Sequence, residues 1–85
     1  MEYVAILRAR IRALCDEREI TINKLADMSG VRQSTLDNIM RCVTKNPTMK
    51  TMHRIANAFS MTLSEFLNDN EINRYCFDEE DTDGI

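Results

Sequence analysis

Apolar positions recur at helical spacing along most of the chain. Val4, Leu7, Ile11 and Leu14 fall three, four and three residues apart, one stripe of a helix predicted from about Tyr3 to Glu17. Arg8, Arg12 and Asp16 lie off that stripe, and Arg8, Arg10 and Arg12 are expected on a solvated face. A short second helix is predicted over about Ile22–Met28, with Thr21 as N-cap and Leu25 and Ala26 turned inward. Gly30 follows in Ser29-Gly30-Val31, where a residue of positive φ is wanted after a helix end. A third helix, about Arg32–Met40, has Val31, Leu36, Ile39 and Met40 as its buried edge. Arg32, Gln33, Ser34, Asp37 and Asn38 are left facing out.

Arg41 to Pro47 reads as a loop closed by the turn dipeptide Asn46-Pro47. Thr48 then caps a fourth helix, about Met49–Phe59, with the stripe Met49, Met52, Ile55, Ala56 and Phe59. Thr62-Leu63-Ser64-Glu65 is a capping-box pattern opening a fifth, about Leu63–Asn68, whose Leu63, Phe66 and Leu67 are expected to seal the bundle. Beyond Asn70 the periodicity fades. Ile72, Tyr75 and Phe77 are candidates to dock or pair, and Asp78 to Asp83 are expected to stay solvated.

Composition narrows this to an all-α fold. The chain has 85 residues, enough for one domain, and 44% apolar with 29% charged residues is an ordinary globular balance rather than a disordered one. Two Gly, one Pro and no Trp are too few turn formers for an all-β barrel or sandwich. No apolar run is long enough to span a membrane. Charges inside the N-terminal apolar run argue against a secretory signal. Cys15, Cys42 and Cys76 are odd in number, far apart and without a CxxC, so a disulfide framework is not expected and a cytoplasmic location is.

Charge divides the chain. Residues 1–68 carry a net +3, whereas residues 69–85 carry −6. The expected division is a body over 1–70 and an acidic tail over 71–85. Two roles for that tail stay open: a solubilising end, or a segment that folds back on the basic face.

Function is concentrated in residues 20–40, ITINKLADMSGVRQSTLDNIM. Two short helices about a tight turn fit the helix-turn-helix pattern. Ala26 is small where the helices cross, Gly30 permits the turn, and Leu25, Val31, Leu36 and Ile39 fill the wedge between them.

Residues from about 5 to 68 resemble the Cro/cI-type helix-turn-helix domain of phage repressors, the XRE family. The resemblance rests on Leu25-Ala26, Gly30-Val31, Ser34-Thr35-Leu36, Asn46-Pro47-Thr48 with Ile55-Ala56, and the closing Met61-Thr62-Leu63-Ser64-Glu65-Phe66-Leu67. It implies a five-helix, lambda-repressor-like bundle that binds double-stranded DNA, usually as a homodimer on a palindromic operator. It makes the third helix the recognition helix, with Gln33 and Ser34 reading base edges, Asn38 one turn on, and Arg32 reaching a phosphate or a guanine. Gln and Asn suit adenine N6/N7, and Ser serves either base. Thr35, Lys45, Asn46 and Thr48 fall at positions that the resemblance gives to backbone phosphates, and Arg41 is added to them. Such contacts set register and salt-sensitive affinity rather than sequence choice.

The chain departs from the family in two places. Ile22 stands where the family often has a phosphate-holding Gln, so Thr21 or Asn23 is expected to substitute. Met40-Arg41-Cys42 replaces the usual Glu-x-Gly end of the third helix, so some other residue must stop it. A net +3 also suggests modest non-specific affinity.

The expected function is therefore a non-enzymatic transcriptional regulator, a repressor, that needs no cofactor. His53 and the three cysteines have no metal-ligand spacing, and no constellation for nucleophilic catalysis is present. The methionines fall mostly on core stripes. Phe66, Leu67, Tyr75 and Phe77 are candidates for a dimer contact, formed in solution or only on DNA. Two other partnerships stay open: an antitoxin that binds its own operator while masking a toxin, and a protein-interaction module on the same fold.

Overall fold

The computed structural model describes residues 2–77, and among them there are six helices and no strand. These are α1 (Tyr3–Arg18), α2 (Ile22–Ser29), α3 (Gln33–Met40), α4 (Met49–Ala58), α5 (Leu63–Leu67) and α6 (Asn70–Arg74). None is long and apolar enough to cross a membrane. The fold is the all-α bundle expected, with one helix more than the five predicted. Asp69 makes the extra helix possible, its carboxylate accepting from the N–H groups of Glu71 (3.1 Å) and Ile72 (3.3 Å). The acidic run from Asp78 to Asp83 lies outside the described residues.

α2 packs on α3 and α4, α4 on α5, and α1 on α3 and α6. The shared core is built from the stripes: Ile11 of α1, Leu25 of α2, Leu36 and Ile39 of α3, Ile55 and Phe59 of the α4 segment and Phe66 of α5 are fully buried. No polar or charged residue joins them among the described residues. That dry wedge fixes how α2 and α3 sit against each other, because interior packing leaves little slack for a helix to rotate.

The ends of these short helices are closed by side chains and by left-handed residues. Lys24 N–H donates to Thr21 Oγ1 (3.0 Å) and Thr51 N–H to Thr48 Oγ1 (3.1 Å). At α5 both halves of the capping box form: Glu65 N–H donates to Thr62 Oγ1 (3.0 Å), and Thr62 N–H to Glu65 Oε1 (2.8 Å). Four helices end on a positive φ, at Glu19 (56°), Gly30 (74°), Cys42 (59°) and Ser60 (59°). After α3, Val43 N–H reaches back to Asn38 O (2.8 Å) and Cys42 N–H to Ile39 O (3.0 Å), a Schellman closure. Cys42 thus takes the part expected of a glycine.

Several expectations change. Arg10 is not part of the solvated face. It turns across to α5, where Nε donates to Phe66 O (2.8 Å) and a terminal nitrogen to Glu65 O (3.1 Å). The acceptors lie 55 and 56 residues away, beyond the reach of any local pattern in the sequence. Met49 is 63% exposed rather than in the core, since it is the first residue of α4 and precedes the first buried turn. Met28 is exposed as well, which leaves Met40 and Met52 as the buried methionines among the described residues. Phe66 is fully buried and so unavailable as a dimer contact. Of the two expectations for Tyr75 and Phe77, docking is the one seen within the chain: both rings lie on Tyr3, with centroids 5.1 Å apart in both cases and 4.7 Å between Tyr75 and Phe77, and Phe77 stays exposed.

Two outcomes follow. Phe66→Ala should destabilise the chain by roughly 3–5 kcal/mol in urea unfolding, independently of protein concentration; a loss that appears only on dilution would return Phe66 to an interface. Glu65 is held below the usual carboxylate range by the Thr62 backbone and side-chain hydrogen bonds. Its stabilising effect is therefore present above the ordinary glutamate range and lost as pH falls through the lowered value. The stability advantage of the wild type over Glu65→Gln should be found near neutrality and vanish in acid; an advantage that persists or grows in acid contradicts this account of Glu65.

Candidate nucleic-acid interface

The turn between α2 and α3 is made from residues 29–32. Gly30, at φ 74°, sends its N–H to Ala26 O (3.1 Å). Ser29 Oγ donates to the same carbonyl (3.3 Å) and accepts from Val31 N–H (3.2 Å). Arg32, extended at φ −59° and ψ 142°, then leads into α3. Arg32 is thus the residue before the helix, one position outside the range predicted for it.

Leu36, Ile39 and Met40 bury one side of α3. The opposite side presents Gln33 and Ser34 to solvent, and Asn38 half-buried one turn later. Arg32 is exposed at the entry and Arg41 at the exit. An open groove lies between the start of α2 and the start of α3, lined by Thr21, Asn23, Lys24, Ala26, Asp27, Gly30, Val31 and Gln33. The fold therefore brings Thr21 and Asn23 to the same groove as Gln33. Ile22 packs partly buried against the core and faces away from that role. Thr21 accepts from Lys24 N–H and keeps its own O–H uncommitted among the described residues, so a phosphate acceptor at this helix start would meet a hydroxyl donor and the positive end of α2.

The other expected phosphate residues sit elsewhere. Thr35 is half-buried on the flank of α3. Lys45 and Asn46 line a separate hollow with Glu2, Tyr3, Tyr75 and Phe77. Lys45 Nζ is ion-paired with Glu2 and donates to Cys42 O (3.1 Å). Thr48 is committed to its cap, and its hydroxyl donates on to Thr51 Oγ1 (3.0 Å).

Two residues of the groove, Lys24 and Asp27, were not named from sequence. Lys24 adds a cation to the groove. Asp37 shares the outward face of α3, and Gln33 Nε2 donates to its Oδ1 (2.9 Å). The i, i+4 spacing of Gln33 and Asp37 was the available signal.

The three cysteines are free. Burial pushes the Cys15 thiol up, reinforced by Asp16 and opposed by Arg12, which is the reverse of an activated nucleophile. No three His, Cys, Asp or Glu residues among those described come together to hold a metal.

A bundle in which two short helices meet at a tight turn, with the second offering a polar outer face, defines the helix-turn-helix class. The chain belongs to the Cro/C1-type HTH DNA-binding domain family, whose model matches residues 10–71. It is similar to the SPbeta prophage-derived uncharacterized HTH-type transcriptional regulator YopS of Bacillus subtilis (strain 168). The two are 31% identical over 62 residues, covering 73% of this chain and 84% of that protein.

The turn can be probed by itself. A Cβ built on Gly30 meets nothing within 4 Å, so only the positive φ opposes a side chain there. Gly30→Ala should cost about 1–2 kcal/mol in thermal or urea unfolding, and Gly30→Asn less. Equal losses for Ala and Asn would point to an unseen clash instead of backbone strain.

Proposed function

We propose that this chain is a sequence-specific transcriptional regulator that lays α3 in the major groove of double-stranded DNA and acts as a repressor. The observation that carries the reading is the groove shared by Thr21, Asn23 and Gln33, beside an outward face of α3 with no apolar residue of its own. Gln33, Ser34 and Asn38 would meet base edges, with Arg32 at the entry reaching a base or phosphate. Thr21 and Asn23 would hold one strand's phosphates, and Thr35, Arg41, Lys45, Asn46 and Thr48 the backbone around the exit of α3. Regulation by such a surface needs no catalysis and no cofactor. It is accomplished by occupying a site, and we place it in the cytoplasm.

A homodimer on a two-fold operator would set two copies of α3 about 34 Å apart. With Phe66 in the core, Leu67, Tyr75 and Phe77 are the remaining candidates for the contact. Residues 1–70 form the DNA-reading unit in this proposal, and 71–85 form the tail, tied back through Tyr75 and Phe77 on Tyr3.

Fluorescence anisotropy against duplexes from upstream of the chain's own gene, titrated with salt, tests the reading. One duplex should be preferred over random DNA, with affinity falling steeply as salt rises. Gln33→Ala should cost about 1–3 kcal/mol on the preferred duplex and little on random DNA, whereas Lys45→Ala should weaken both and reduce the salt slope by about 1. Equal losses on both duplexes for Gln33→Ala would remove it from the base readers, and no binding at low salt would remove DNA as the partner.

A further inference from the structure

Asp37 is half-buried on the polar side of α3, next to Gln33. With about 100° between successive residues, Asp37 is about 40° round the helix from Gln33, and Ser34 and Asn38 lie further round on the same side. The buried Leu36, Ile39 and Met40 take the other side. The Gln33 amide nitrogen is 2.9 Å from Asp37 Oδ1. No ion pair reaches Asp37 among the described residues, and its side chain accepts a hydrogen bond from that amide.

A carboxylate accepts hydrogen bonds and, while ionised, donates none. It therefore selects the nitrogen end of the Gln33 amide. Turning the amide over would set Oε1 against Oδ1, oxygen against oxygen. This settles an ambiguity that an isolated glutamine retains, because its two ends have opposite hydrogen-bonding character. With one N–H engaged by Asp37, the second N–H and Oε1 remain as a fork of one donor and one acceptor. Adenine presents the complement, an N7 acceptor and an N6 donor. Guanine presents two acceptors, N7 and O6, and would bring both toward the carboxylate. The same negative charge also reduces the sequence-independent attraction to phosphates.

We propose that Asp37 is a positioning residue that fixes the Gln33 amide, so that the pair selects adenine over guanine at the base it meets. The proposal rests on the reading of α3 as the base-reading helix. It adds a residue to that surface whose function is to orient another and whose charge opposes DNA binding in general.

The test has a part without DNA and a part with it. In the free full-length chain, NMR relaxation of the Gln33 side-chain amide should show it ordered in the wild type and mobile in Asp37→Ala, with the α3 backbone unchanged. Equal mobility in the two overturns the proposal irrespective of any DNA result. Binding selection from randomised duplexes is then run on the wild type, Asp37→Ala, Asp37→Asn, Gln33→Ala and the double variant Gln33→Ala/Asp37→Ala. Thermal melts by circular dichroism establish that each is folded.

The wild type should select adenine over guanine at one position in each half-site. Asp37→Ala should reduce that ratio about three- to tenfold while tightening binding to random duplexes. Asp37→Asn, which can both donate and accept, should behave like Asp37→Ala. In the Gln33→Ala background, loss of Asp37 should change no base ratio. A wild-type preference that survives Asp37→Ala overturns the proposal and leaves the DNA reading standing. A changed base ratio between Gln33→Ala and the double variant would make Asp37 a base reader itself and overturn the positioning role. A folded wild type with no preferred duplex overturns the reading of α3, and the proposal falls with it.

Discussion

A helix of eight residues leaves four N–H and four C=O groups without an intrahelical partner, so in α2 and α3 the ends involve as many backbone groups as the middle. Nucleation is also unfavourable at such lengths, and neither helix would persist alone. The fold depends on satisfying those ends. At the starts, Thr21, Thr48, Thr62 and Asp69 each accept from a backbone N–H two or three residues on. At the finishes, Glu19, Gly30, Cys42 and Ser60 adopt the left-handed conformation that returns the chain to the last carbonyls. Only one of the four is a glycine. The other three hold an unfavourable backbone angle, and each is followed by an apolar residue, Ile20, Val43 or Met61, as the Schellman motif favours. Ile20 and Met61 pack partly buried on the core, which helps to hold the strained residue in place.

Two arginines extend the same principle across the bundle. Arg10 closes the end of α5 by donating to Glu65 O and Phe66 O. Arg18 donates to Phe59 O at the end of α4, and its guanidinium lies 5.6 Å from the Phe59 ring centroid. Both start from α1. The longest helix thus holds the exposed carbonyl ends of two short ones while its apolar stripe supplies part of their core. Charge-assisted bonds to helix C-termini also follow the direction of the helix dipole. The link to the candidate site runs through packing: α4 packs on α2, and the α2–α3 wedge sets the angle at which the polar face of α3 is presented.

What was legible from sequence follows from how local each signal is. The stripes, the Thr caps, the capping box and the Gly30 turn involve residues within four positions of one another, and they appear as expected. The Arg10 and Arg18 contacts bridge 41 to 56 residues, so no window on the chain reveals them. The stop after α3 was visible only as a missing glycine. That Cys42 fills it depends on hydrogen bonds from Cys42 and Val43 back to Ile39 and Asn38, which any non-proline residue can make. α6 was missed because its five residues are too few for periodicity, even though Asp69 is a good N-cap in retrospect. At the candidate site, the family resemblance pointed to Gln33, Ser34 and Asn38, and the fold added that Thr21 and Asn23, among the phosphate candidates, share a groove with Gln33. Asp37 was seen to face outward, yet its significance lay in a side-chain pairing rather than in its own chemistry with DNA.

The distribution of charge on the proposed reading surface bears on how such a protein would discriminate. Cations at Lys24, Arg32, Arg41 and Lys45 are interspersed with Asp27 and Asp37, and Lys45 already has Glu2 as its partner. A phosphate that engages Lys45 meets an ammonium already shared with Glu2 and Cys42 O, at an exposed site where such pairs are worth little. Affinity from phosphates is sequence-independent and raises binding to every duplex alike. A surface that restrains it does not lose discrimination, because the ratio between a preferred duplex and random DNA is set by contacts that differ between them. Thin basicity on this face is thus compatible with selective reading, and it shifts the burden of selectivity onto the few outward polar side chains of α3 and onto the groups that fix their orientation.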